Sequence, residues 1–155
     1  MSKMTLLVEL EQQVEHVPMA VTTLGVLEDR LNARGTDGWR LEQATQMIMR
    51  KGGSLFSLRS AYYNDDVLLV FERTNRRQYY RCRLLERKAE PEDDLAQINA
   101  ALVEQNDKGF RLMQMLHFSS ISDRLDRPTV GTAAHLLIFL RAGKLLLREV
   151  DDATT

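Results

Sequence analysis

The sequence predicts an α+β fold: a tandem duplication of one β-α-β-β unit, mostly antiparallel sheet, with helices on one face. Three observations predict it. First, Leu31-Asn32-Ala33-Arg34-Gly35-Thr36-Asp37-Gly38-Trp39-Arg40-Leu41 ends a helix, makes a turn and launches a strand, and Leu102-Val103-Glu104-Gln105-Asn106-Asp107-Lys108-Gly109-Phe110-Arg111-Leu112 repeats that grammar. From Gly38 to Gly109 the spacing is 71 residues. Second, apolar residues recur at helical spacing ahead of each junction. Third, each half closes on a continuous apolar run, Val67 to Phe71 and His135 to Leu140, the mark of a strand covered on both faces. The units are expected at residues 1–75 and 76–143, with a tail at 144–155. A chain of 155 residues buries one sizeable core, and half of it is marginal alone, so the two units share one compact domain.

In order, Thr5 to about Gln12 alternates as a first strand, with Leu6, Val8 and Leu10 on one face and Leu7 on the other. Glu15 to Pro18 reads as a connection, because the residue before a proline is pushed out of helical space. Val21, Leu24, Leu27 and Leu31 form the stripe of a helix. Gly35 is expected to stop it in the left-handed conformation. Trp39 to about Met49 alternates as a half-buried strand, and Arg50-Lys51-Gly52-Gly53-Ser54 marks a turn. Leu55 to Tyr63 is ambiguous, Asn64-Asp65-Asp66 turns the chain again, and Val67 to Phe71 is the third strand.

The second unit opens on a strand from Gln78 to Leu85. Its helix starts at Pro91 among Glu90, Glu92, Asp93 and Asp94, which complement the positive end of the helix dipole, and buries Leu95, Ile98 and Leu102. Asn106 stands in the place of Gly35 and tolerates the same left-handed cap. Phe110 to Ser120 is a strand, Ser122 to Thr132 a polar loop, and Ala133 to Arg141 the last strand. A right-handed crossover makes the first two strands of each unit parallel, and the most apolar third strand goes between them, giving the order first, third, second. The units then form either one six-stranded sheet or two packed three-stranded sheets. The tail from Lys144 to Val150 is a last strand or a docking segment, with Asp151 to Thr155 fraying.

The pattern Leu-Asn-x-x-Gly-x-x-Gly-Trp-x-Leu, carried by Leu31, Asn32, Gly35, Gly38, Trp39 and Leu41 and followed by Leu69, Phe71 and Arg73, resembles a small uncharacterised family of bacterial domains. The second copy keeps Leu102, Gly109, Leu112, Leu137, Phe139 and Arg141, with Asn106 for glycine and Phe110 for tryptophan. The resemblance implies a fold and carries no chemistry with it.

Lys and Arg number 21 against 22 Asp and Glu, so no global field draws the chain onto nucleic acid or an acidic membrane. The single Cys82 leaves no internal disulfide, and a cytoplasmic location is expected. No run approaches the ~20 apolar residues of a membrane helix, and the start lacks the apolar stretch of a signal peptide.

Locally, Arg73 to Lys88 concentrates cations. On a strand, Tyr79, Arg81 and Arg83 share a face, and with Arg76 and Arg77 they suggest an aromatic to stack a base and guanidiniums to hold phosphates. The competing reading is a solvated face. Arg50-Lys51-Gly52-Gly53-Ser54 lacks the spacing of a phosphate loop. Cys82 points inward with Tyr80 and Leu84. His16, His117 and His135 are far apart in sequence and predict no metal site. Ser119, Ser120 and Ser122 near His117 and Asp123 hold triad ingredients without a nucleophile elbow. Methionines 47, 49, 113 and 115 offer adaptable contacts.

These residues imply no catalytic, cofactor or metal site. Because helices cover one face of each sheet, Leu68, Val70, Met113, Met115, Leu136, Ile138 and Leu140 are the candidate interface, covered either by the other unit or by a second chain. The expectation is a non-catalytic interaction or oligomerisation module, a homodimer or the partner of another protein. A nucleic-acid binder using Arg76 to Arg83 and a small enzyme around His117 are the alternatives.

Overall fold

A computed structural model describes residues 11–19, 22–50, 62–121 and 132–146. The elements are β1 (Gln12–Val17), α1 (Leu24–Thr36), β2 (Trp39–Arg50), β3 (Tyr62–Arg73), β4 (Arg76–Glu86), α2 (Pro91–Asn106), β5 (Arg111–Ile121) and β6 (Thr132–Leu145). The expected strand before Gln12, the apolar position Val21, the glycine turn at 51–54, the ambiguous segment as far as residue 61, the polar loop at 122–131 and the tail beyond 146 lie outside the described residues.

Six antiparallel strands form two three-stranded sheets, ordered β1-β3-β2 and β4-β6-β5. Each unit therefore places its third strand between the other two, as the sequence predicts. Among the described residues no helix is long and apolar enough to cross a membrane.

The inner face of the first sheet presents Val17, Leu41, Ala44, Val67, Leu69 and Phe71, which meet Leu27 and Leu31 of α1 in one cluster with Tyr80, Cys82, Leu116, Phe118, Ala134, Leu136 and Ile138 of the second sheet. The opposite face of the second sheet carries Phe110, Leu137 and Phe139 beneath Ile98, Ala101 and Leu102 of α2. So the second sheet is covered on both faces. The outer face of the first sheet carries Val14, Leu68, Val70 and Met47 in register, with Val14 62% exposed and Met47 37%.

Three local expectations are corrected. β1 occupies Gln12–Val17, where a connection was expected from Glu15, because pairing with β3 from Gln12↔Glu72 to Val17↔Val67 extends the backbone up to Pro18. Asn64-Asp65-Asp66 lies inside β3 and makes no turn. Its ladder to β2 includes Ile48↔Asp65 and Met47↔Asp66, so cross-strand pairing overrides turn propensity. Gly35 and Asn106 are helical; the left-handed residues are Gly38 at φ 90° and Gly109 at φ 85°.

Gly35 has a different use. A Cβ there would lie 2.1 Å from the carbonyl oxygen of Gln78, so the missing side chain lets α1 press against β4. Among the described strands β4 pairs only with β6, which leaves its other edge free of a ladder partner. α1 fills it: Asn32 accepts from the Tyr80 N–H at 2.8 Å and donates to the Tyr80 carbonyl at 3.0 Å, and Glu28 accepts from the Cys82 N–H at 2.9 Å. At the far edge Gln46 does the same for β5, donating to the His117 carbonyl at 2.7 Å and accepting its N–H at 3.1 Å. Two carboxamides of the first unit thus close both edges of the second sheet. In return the Tyr80 hydroxyl donates to the Trp39 carbonyl and accepts the Leu41 N–H, both at 2.7 Å, where β2 bulges after Leu41.

Candidate functional site

The expected interface divides on burial. Leu136 and Ile138 are fully buried between the sheets, so they are core and not an intermolecular surface. Met113 and Leu140 are partly buried against the same core. Met115 lies 37% exposed on the α2 side of β5. Leu68 and Val70 line the outer face of the first sheet between Val14, His16, Gln43 and Thr45. That face ends in Arg40–Glu72 at 3.2 Å on one side and His16–Asp66 at 2.8 Å on the other.

The basic strand keeps its predicted alternation: Tyr80 and Cys82 are buried, while Arg77, Arg81 and Arg83 are exposed. Burial pushes the Cys82 thiol well above its usual range, so it is an inert structural cysteine. On the outer side, rings and guanidiniums alternate. Arg77 lies 4.9 Å and Arg141 5.1 Å from the Tyr79 ring, while Arg141 lies 4.7 Å and Arg81 5.4 Å from the Phe110 ring. These cation–π contacts occupy the ring that the sequence offered to a base. What is left for a ligand is guanidinium edge. Arg83 is an ion-pair partner of Glu104, and Arg76 donates to the Gly143 carbonyl at 3.0 Å. Arg77 and Arg81 form no ion pair among the described residues.

The fold brings together two of the histidines that are far apart in sequence. The β5–β6 register sets His117 opposite His135, and their Nδ1 atoms lie 2.6 Å apart with the rings edge to face at 86°. His135 is 4% exposed and its Nε2 meets Asp94 of α2 at 2.7 Å. Asp94 also accepts the Lys88 N–H and the Gln97 amide, each at 3.0 Å. Led by the Lys88 N–H, these donors hold the Asp94 carboxyl down at about 2 despite its desolvation. The aspartate is therefore an anion that only accepts.

With both imidazoles neutral, this orders the protons along the chain: His135 donates from Nε2 and keeps an Nδ1 lone pair, so His117 donates from Nδ1 and turns an Nε2 lone pair outward. Burial, then His135 and Arg87, lower the His117 pKa and favour this neutral form. Beside the relay, Arg87, Lys88, Pro91, Asp94, Leu95 and Ala133 border a groove of about 690 Å³. Neither Arg87 nor Lys88 forms an ion pair among the described residues. His16 stands apart with Asp66. No group of three acidic, histidine or cysteine side chains among the described residues is arranged to hold a metal.

Sequence reasoning singled out His117 and missed its partners. The side chains of Ser119, Ser120, Ser122 and Asp123 lie outside the described residues. Only hairpin register could have joined His117 to His135, and a register shift between Phe118 and Ile121 intervenes. No protein-family profile, curated protein or solved structure matches this chain.

Proposed function

We propose that this protein is a non-catalytic interaction module that pairs with a second copy of itself through the outer face of its first sheet. The observation that supports this reading is the unequal cover of the two sheets. Both faces of the second are occupied within the chain, whereas among the described residues no element covers the face of the first that carries exposed Val14 and Met47 and half-buried Leu68 and Val70. The face suits its own copy. A two-fold axis between the Leu68 and Val70 rows sets Leu68 against Val70 and brings the Arg40–Glu72 pair over the partner's His16–Asp66 pair, so the apolar rows meet each other and the polar ends meet polar ends.

Three strands at about 4.8 Å spacing give a patch only about 14 Å wide, toward the small end of stable interfaces, so the dimer dissociates on dilution. Light scattering after gel filtration tests this across protein concentration. The expected result is a dimer at high concentration that Val70→Lys abolishes without lowering the melting temperature. A chain that stays monomeric at every concentration, or a dimer indifferent to Val70→Lys, overturns it.

Arg77 and Arg81 support a second reading, contact with an anionic polymer, because they lack the carboxylate partners that Arg30, Arg34, Arg40, Arg73 and Arg83 have. Phosphate contacts of this kind weaken steeply with salt. Fluorescence anisotropy of labelled single-stranded oligonucleotides across a salt series, beside Arg77→Ala/Arg81→Ala, decides it. Absence of binding at low salt removes the reading.

A further inference from the structure

The Asp94–His135–His117 chain ends in an outward lone pair and lies outside the sheet face assigned above. Its parts are graded by burial. Asp94 and His135 have side chains 15% and 6% exposed, while His117 is exposed and its backbone is clamped by Gln46. A buried histidine needs hydrogen-bond partners, and Asp94 alone would satisfy one nitrogen. The second nitrogen is spent on orienting His117. The arrangement follows the logic by which a carboxylate fixes an imidazole tautomer and stabilises its cation, with a second imidazole in the acceptor's place. Arg87, which acts electrostatically on His117, carries no ion pair among the described residues and suits an oxyanion.

We propose that His117 is a phosphoryl-acceptor site, modified once per chain at Nε2 by a small high-energy phosphoryl donor. The Nε2 lone pair attacks phosphorus, an N–P bond forms, and the bond from phosphorus to the leaving group breaks with its electron pair. With phosphoramidate as donor the leaving group is ammonia. The ring of His117 becomes cationic, and its Nδ1 proton passes to the Nδ1 of His135, whose imidazolium is then held against the Asp94 carboxylate. No oxidation change occurs. His135 and Asp94 are positioning residues, because neither touches phosphorus.

The structure supplies its own comparison. His16 is also exposed and also paired with an aspartate, but its Nε2 is the bonded atom, at 2.8 Å from Asp66, and it has no second imidazole. The test is incubation of the full chain with phosphoramidate at neutral pH, mass spectrometry to locate the label, and NMR to identify the phosphohistidine isomer. The expected outcome is one phosphoryl group, on His117, as the Nε2 isomer alone, at least tenfold ahead of His16. His117→Gln removes it.

Asp94→Asn can present an N–H to His135 and reverse both tautomers, which puts a proton on the His117 Nε2 and ties its Nδ1 lone pair to His135, so labelling of His117 slows at least tenfold while that of His16 is unchanged. A role confined to holding α2 in place would slow nothing selectively. If circular dichroism shows Asp94→Asn unfolded, the ratio of His117 to His16 and the isomer formed in the native chain decide. Equal labelling of the two histidines, an Nδ1 product, or no adduct on His117 overturns the proposal.

Discussion

Asn32 shows how much one side chain can decide. Its carboxamide copies the donor and acceptor of a peptide group and pairs with Tyr80 as a neighbouring strand would. Asn32→Ala leaves a backbone N–H and a carbonyl of a strand edge without partners, and at about 1–3 kcal/mol for an unsatisfied buried group the expected loss is about 2–3 kcal/mol, read as a lower urea midpoint. Gln46→Ala removes a similar pair at a more exposed edge and costs less than about 1 kcal/mol by the same measurement, because water replaces the amide there. The relay has a pH signature. His117 and Asp94 both have folded pKa values below their ordinary ones, so both destabilise the fold in acid. The share of His117 declines as pH falls through its ordinary value of 6.5, and that of Asp94, complete above 3.8, is lost toward about 2. Urea midpoints at successive pH values should fall in two stages, and His117→Gln should erase the upper one. At this scale the sequence shows which residues are core and which are strand-facing, as Tyr80 and Cys82 demonstrate. It does not show Asn32, Gln46 or Asp94 at their tasks, because a side chain bonding a distant backbone leaves no periodicity.

For whole elements, the junction residues acquire a physical meaning. Leu31 anchors α1 in the core, Asn32 binds the edge of β4, and Gly35 permits the approach. Gly35→Ala places a methyl group 2.1 Å from a backbone oxygen that cannot step aside, so α1 lifts from β4 at an expected cost of about 3 kcal/mol in thermal or urea unfolding. Gly38→Ala adds strain of another kind, since φ is 90° and the new carbon would lie 2.5 Å from the Thr74 carbonyl oxygen. The second unit has Val103 and Asn106 in the corresponding positions, and Val103 is 61% exposed. α2 accordingly covers a sheet face, and it reaches the β4 backbone at that strand's last residue, where the Gln97 amide donates to the Glu86 carbonyl. The strand order within each unit was legible, because hydrophobic density and crossover handedness decide it. The docking of one unit's helix on the other unit's strand was not, since it rests on a missing side chain and two polar ones.

Across the whole molecule, the choice between one six-stranded sheet and two three-stranded sheets was open in the sequence and is settled as two. The reason is local to the edges: Tyr80, Asn32 and Gln46 occupy the groups that further ladder bonds would need. Since Leu27, Leu69, Tyr80 and Ile138 belong to one cluster, unfolding should be a single transition, with near-ultraviolet and far-ultraviolet circular dichroism melting together. Separate transitions would show the units to be independent. Residues 76–146 alone would have a bare β4 edge and an uncovered apolar face, and they are expected to aggregate. At this scale the surface reading of the sequence was incomplete, because which apolar strand face meets another depends on how two sheets stack.

The closing of β4 by α1 also bears on how the chain is made. During synthesis α1 is complete before β4 emerges, whereas β6, the permanent ladder partner of β4, arrives some fifty residues later in the sequence. A newborn strand with a polar, glycine-notched helix already beside it has a companion during that interval. The order of the two units along the chain therefore has a direction: with the second unit first, β4 would leave the ribosome before the helix that covers its edge.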